Sequence, residues 1–317
     1  MTTPTKATSF LTTSGPRGEE IRFPMGTVHG GVDGPTLVIV AGVHGSEYDG
    51  IEAVKRVFDW VDPERMSGTL KTVPCLNLPA FYGLAMHVNP VDDQNPARCF
   101  PGDADGSYTD RMVDLLWREV VLGADAVVDV HGGDLEEELV DYSQINLTGD
   151  SAVDRTAEGV ALALDMPFFC RRAAPDVLPA SDGTLCQIAG TNGIPAALAE
   201  SGSHGILDEA CVGVHLKGLK NVLSYLGMVE QPQILEVEKP TLLHRFVGVA
   251  APVSGLWYPS VTRGDTVRKG QTLGVMRDFF GNELELIVSD EDAVVLGVMT
   301  VLARQENDML MGVGTLD

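Results

Sequence analysis

Four short, largely apolar runs constrain most of what this chain can fold into: Thr36–Gly42 (TLVIVAG), Leu70–Leu78 (LKTVPCLNL), Ala124–Val130 (ADAVVDV) and Ile194–Ala199 (IPAALA). A strand with one wet face alternates apolar and polar residues, whereas a strand covered on both faces reads as a continuous apolar run. Helical stretches lie between these runs, at Ile51–Val61, Thr109–Leu122, Ala152–Leu164 and Val212–Leu226. Strands alternating with helices predict an α/β domain around a mainly parallel or mixed sheet. In such sheets the chemistry gathers at the carboxyl ends of the strands. Residues 43–50, 131–134 and 200–205 are thereby predicted to share one neighbourhood.

The character of the chain changes after Gln231-Pro232-Gln233 and Lys239-Pro240. Beyond them come short β-like runs spaced by glycine, at Phe246–Val249, Gly255–Tyr258 and Gly264–Gly274. This predicts a catalytic α/β domain over 1–240 and a small all-β domain over 241–317, a division in keeping with a length of 317 residues. The pattern Gly264-Asp265-x-Val267-x-x-Gly270-x-x-Leu273-Gly274 resembles the hammerhead of biotinyl and lipoyl carrier domains. Those carriers present a modified lysine on a tight hairpin, and Arg277–Glu285 contains none, which argues against carriage.

Composition narrows the function classes. Hydrophobic residues make up 44% and charged residues 21%, enough for a sizeable core, which excludes global disorder. There are 22 Lys+Arg against 45 Asp+Glu, a net charge of −23, which argues against a nucleic-acid or anionic-membrane partner. The N-terminal Met1–Lys6 has no apolar run behind it, and no window reaches the length of a membrane-spanning helix. Five widely spaced cysteines without a CxxC pair fit a reducing compartment rather than a disulfide framework. A soluble cytoplasmic protein is expected. Serine-hydrolase chemistry finds no support, because no Gly-x-Ser-x-Gly elbow is present.

The sharpest candidate site follows the first strand, in Gly42-Val43-His44-Gly45-Ser46-Glu47. A His and a Glu three apart on a tight turn can aim a nitrogen and an oxygen at one ion. Zinc takes such ligands, and a catalytic site uses three of them plus water. His131, ending the run Asp129-Val130-His131, is the third candidate. Each His alone could simply bond nearby backbone; two strand-end histidines with Glu47 make a ligand set. Glu200, in Ala199-Glu200-Ser201-Gly202, ends another apolar strand. A carboxylate there needs a partner or a task, and general acid/base work is the task a metal site offers; a solvated loop acid is the alternative. Arg98, in the Pro/Gly-rich Asn95–Gly102 loop, could clamp a carboxylate or stabilise an oxyanion. Arg171 and Arg172 form a second basic patch and are further candidates for binding substrate, a plain surface salt bridge being the blander reading.

Together, the stretch from Gly34 through His44 to Glu47, Asp129-Val130-His131, the strand ending in Glu200, Arg98-Cys99-Phe100-Pro101-Gly102 and the Gly-rich C-terminal β segment resemble the succinylglutamate desuccinylase/aspartoacylase family of zinc-carboxypeptidase-like deacylases. The resemblance covers roughly residues 20–315. It implies one zinc per chain held by His44, Glu47 and His131, with Glu200 as general acid/base. Arg98 would engage the substrate's carbonyl oxygen or carboxylate, and the β domain would wall off the active-site mouth. Relatives are often homo-oligomers, although no sequence feature fixes this here. One departure is visible: where the family shows Asn-Arg, this chain has Ala97-Arg98. Ala97 cannot donate a side-chain hydrogen bond, so Asn95 or another polar residue replaces the family Asn, or the substrate is not an ordinary N-acyl-α-amino acid. The expected activity is hydrolysis of a small N-acylated amino acid or amine, an N-acetyl-diaminobutyrate-type deacetylase being one candidate. The alternatives are a carboxypeptidase acting on short peptides and a hydrolase of an unusual non-amino-acid amide.

Overall fold

A computed structural model describes residues 3–173, 183–230 and 239–316; the Gln231-Pro232-Gln233 boundary lies outside them. In chain order the first strands are β1 (Thr5–Ser14), β2 (Glu20–His29), β3 (Val32–Ala41), β4 (Ser67–Val73) and β5 (Ala126–His131). They are followed by β6 (Glu137–Leu139), β7 (Tyr142–Asn146), β8 (Phe168–Arg172), β9 (Ala196–Glu200) and β10 (Thr241–Leu243). The helices are α1 (Tyr48–Trp60), α2 (Leu78–Gly83), α3 (Tyr108–Leu116), α4 (Ser151–Ala163), α5 (Leu185–Thr191) and α6 (Glu209–Tyr225).

Nine strands form one mixed sheet in the order β1-β2-β4-β3-β5-β9-β7-β8-β10. Its centre, β4-β3-β5-β9, is parallel, and β2 and β7 join that block antiparallel. Side chains on a strand point alternately to the two faces, and both faces of β3 are covered. Leu37, Ile39 and Ala41 pack in one core with residues of α1, α4 and α6. Val38 and Val40 pack in a second core with residues of α3 and α5. That double burial is why β3 is apolar without interruption from Leu37 to Ala41.

The second expected strand is shorter than its apolar run. β4 stops at Val73, because Pro74 has no N–H to continue the ladder. The remainder turns away: Asn77 caps α2, its side-chain oxygen accepting from the Ala80 N–H at 3.2 Å. Expected helix 109–122 is likewise divided, α3 giving way to a π-helical turn at Trp117–Val121.

Beyond β10 the chain is all strand: β11 (Phe246–Ala250), β12 (Gly255–Pro259), β13 (Thr266–Val267), β14 (Thr272–Arg277), β15 (Glu283–Val288), β16 (Ala293–Met299), β17 (Ala303–Arg304) and β18 (Met309–Thr315). Two sheets, β11-β18-β16-β13 and β15-β14-β12-β17, enclose a core that includes Trp257, Leu273, Met276 and Leu310. Thr241–Leu243, expected in the β domain, instead pair with Phe168–Cys170 in the large sheet. Among the described residues, no helix is long and apolar enough to cross a membrane.

The two parts are joined at β6, which pairs with β16. Next to that seam Arg304 holds Glu136 with two contacts of 3.1 and 2.9 Å, both side chains being buried. Removing one partner of a buried pair leaves the other charge uncompensated. Arg304→Met is therefore expected to lower stability by about 3–5 kcal/mol. The check is the urea midpoint, and Arg304→Met/Glu136→Gln is expected to recover part of the loss.

Candidate active site

The loop leaving β3 folds tightly because its glycines allow it. Gly42 has φ +62°, and a Cβ on Gly45 would stand 2.2 Å from the Phe81 backbone nitrogen at α2. Glu47 is the N-cap residue of α1. His131 ends β5, and the β5–β9 register sets Glu200 directly beside it. The three segments expected to meet at the carboxyl ends of the strands do meet.

One ligand atom from each of His44, Glu47 and His131 lies within 4.8 Å of the others. His44 Nδ1 stands 2.6 Å from Glu47 Oε1, and His131 Nδ1 stands 2.9 Å from Glu47 Oε2. Glu47 and His131 are buried, and Glu47 Oε2 makes no hydrogen bond despite being shielded from water. The far nitrogen of each ring also has a partner: His131 Nε2 lies 3.2 Å from Asp129 Oδ1, and His44 Nε2 lies 3.2 Å from Asn95 Oδ1. Outer carboxylate or amide partners of this kind orient metal-binding imidazoles and leave the inner nitrogen to the ion. Two imidazole nitrogens and one carboxylate, with a shielded oxygen lacking a hydrogen bond, fit a zinc ion.

The electrostatics agree with that donor set. Burial alone would raise the Glu47 pKa, but His131 and then His44 overcome it and hold the carboxyl at about 2. Glu200 behaves in the opposite way. Burial, only partly countered by His131, pushes it well above the ordinary carboxyl range, and Glu47 and Glu137 add to the shift. Its Oε2 is buried without a hydrogen-bond partner. Two carboxyls flanking His131 with opposite shifts suit a ligand and a proton carrier.

The basic residues divide. Arg98 retains exposure in a short 3-10 turn and donates to the Ala97 carbonyl at 2.9 Å. Burial of its guanidinium and the like charge of Arg172 both lower its pKa, while Asp129 opposes them, so Arg98 and Arg172 belong to one electrostatic neighbourhood. Arg172 corrects the reading of a surface salt bridge: it is buried, its guanidinium 5.5 Å from the Phe246 ring centroid. Arg171, its neighbour on β8, lines a separate cavity with Leu147, His244 and Arg245. Asn95 is engaged through its oxygen, which accepts from the Ala97 N–H at 2.9 Å besides facing His44.

Three residues at the site escaped sequence reading. The ring of His87 packs edge-on to His44, 5.4 Å between centroids, with Nδ1 3.2 Å from Asp134 and Nε2 3.7 Å from Glu136. Tyr142 pairs with Glu200 across β7 and β9. Glu137 lies within the electrostatic reach of Glu47 and His87, and its burial raises it to about 7. No sequence signal marks His87, whose loop has no periodicity.

The solved metallo-carboxypeptidase of Burkholderia cenocepacia shares the fold of this chain, with a TM-score of 0.53, 14% identity and coverage of 69% of this chain and 65% of that one. The chain thus has the carboxypeptidase-like mixed α/β fold. The ectoine utilization protein EutE (DoeB) of Ruegeria pomeroyi, in its product-bound structure, superposes with a TM-score of 0.86 at 23% identity, covering 99% of this chain and 98% of its own. The chain belongs to the succinylglutamate desuccinylase/aspartoacylase family, whose catalytic-domain model matches residues 33–226. Among characterised relatives, the N-alpha-acetyl-L-2,4-diaminobutyric acid deacetylase of Halomonas elongata is 27% identical over 266 residues, 81% of this chain and 75% of that protein.

Proposed function

We propose that this chain is a zinc-dependent hydrolase that cleaves the amide bond of a small N-acylated amino acid or amine. The observation that carries the reading is the convergence of His44, Glu47 and His131 with Glu200 in register beside them. His44, Glu47 and His131 would hold one zinc per chain. When bound there, the metal supplies Lewis-acid polarisation and makes water a better nucleophile.

The chain's own residues do the rest. Glu200 takes the proton of the attacking water and returns it to the departing amine, a role that needs a carboxyl able to hold a proton near neutrality. Arg98, whose guanidinium has donors to spare after Ala97, binds the substrate carboxylate or the developing oxyanion. Asp129 and Asn95 orient the two ligand imidazoles. Through β6 and β16 the C-terminal strands close one side of the mouth, so a small substrate is favoured over a peptide. The relative from Halomonas supports N-acetylated diamino acids as the first substrates to try.

The test is amine release from N-acetyl, N-formyl and N-succinyl amino acids and diamines by zinc-loaded protein, with a chelated control. Release that chelation abolishes and zinc restores is expected for one acyl group. Absence of release across the panel from protein that binds no zinc would overturn the reading.

A further inference from the structure

Glu137 opens β6, opposite Met299 of β16. Its backbone is held on both sides: its N–H donates to the Asp134 carbonyl at 2.9 Å, and its own carbonyl accepts from the His204 N–H at 2.9 Å. Glu138 points away to Arg263, 3.0 Å between charged atoms, so the alternation along the strand turns Glu137 to the other side. There its carboxylate lies in reach of Glu47 and His87, and it acts in turn on Glu200 and Tyr142. A Cβ on Gly297 would come within 3.3 Å of Glu137 Oε1, so the glycine leaves that oxygen room.

The neighbouring acids are already satisfied. Asp134 accepts from Ser46 Oγ and from the backbone N–H groups of His87 (2.7 Å) and Leu135 (2.6 Å). Glu136 is clamped by Arg304. Among the described residues the Glu137 carboxylate has no hydrogen bond and no ion pair. A half-buried carboxylate without a partner beside a reaction centre is costly unless a ligand completes it. The complementary ligand group is a cation that donates hydrogen bonds, an ammonium.

We propose that Glu137 determines specificity by receiving a protonated amino group of the substrate, so that the site prefers an N-acylated amine carrying a second, cationic amine. This rests on the amide-hydrolase reading above. The β6–β16 seam then has a functional consequence: the C-terminal strands hold the residue that reads the substrate's distal end.

The experiment compares zinc-loaded wild type on an Nα-acetylated diamino acid and on its neutral isostere, in which a methyl replaces the ammonium. A charge-assisted hydrogen bond corresponds to a preference of about 10- to 100-fold in kcat/KM. In Glu137→Gln the ratio is expected to fall toward one, mainly through KM of the cationic substrate, whereas Glu137→Asp, which keeps the charge, retains a preference. Calorimetric binding of the free diamino acid and the monoamino acid gives the same comparison without turnover. Equal use of both substrates by wild type, or an unchanged ratio in Glu137→Gln, would overturn the proposal and leave the hydrolase reading standing. Hydrolysis of neither substrate, with no preference in binding, would overturn the proposal, and the acyl-group panel with zinc content then decides the hydrolase reading separately.

Discussion

Glu200→Gln is expected to bind zinc as the wild type does and to lose about 10²–10⁴-fold in kcat, the contribution of a positioned general acid/base. The register of β5 and β9 fixes Glu200 beside His131, and the two strands belong to the most buried part of the sheet. Burial holds the Glu200 carboxyl well above its ordinary range, with His131 pulling the other way. A carboxyl in that position can keep a proton, release it to a base and recover one from attacking water. Glutamine matches its shape but transfers no proton, so the fold and the donor set stay while proton transfer stops. Single-turnover amine release with parallel elemental analysis separates the two effects. Full activity in the variant would remove Glu200 from the mechanism, and loss of zinc together with activity would make it a structural support of His131 instead.

The parts of the molecule legible in the sequence are those governed by local patterns. β3, β5 and β9 carry buried residues on both faces, and their largely apolar runs mark them. β2 was missed because it has two unlike faces: Ile21 and Phe23 are fully buried, while Glu20 and Arg22 are exposed. Its alternation is a strand signal that a search for apolar runs passes over. β7 is buried yet carries Ser143 and Gln144, so only its pairing with β8 and β9 identifies it. The site divides in the same way. His44, Glu47, His131 and Glu200 sit at ends of apolar runs and could be found from position alone. Glu137 depends on pairing with Met299, far along the chain, and His87 on the packing of a loop against His44. Arg171 and Arg172 look equivalent as a dipeptide; the alternation of β8 buries one and leaves the other at a separate cavity.

Replacement of His131 by Ala is expected to have the largest effect on the metal, and His44→Ala the same kind of effect. Each removes one of three donors, and a zinc site with two protein ligands falls below the count that holds the ion in catalytic centres. Loss of an outer-shell partner alone costs about 10- to 100-fold in metal affinity, so loss of a ligand should exceed about 100-fold. Asp129→Asn and Asn95→Ala provide the graded comparison, because they leave the inner nitrogens in place and disturb only the contacts, 3.2 Å each, that orient the rings. The expected order of zinc affinity is therefore wild type, then Asp129→Asn and Asn95→Ala, then His44→Ala and His131→Ala. Competition against a chromogenic chelator measures all five proteins without reference to turnover. In the absence of metal His131 is buried between two carboxylates, Glu47 at 2.9 Å and Asp129 at 3.2 Å, and these raise its pKa despite burial, favouring the protonated ring. Metal binding must then displace that proton, so zinc uptake by the wild type should release protons to the buffer and strengthen as pH rises. His131→Ala should lose both the affinity and that proton release, whereas unchanged zinc content in His44→Ala or His131→Ala would count against the ligand set itself.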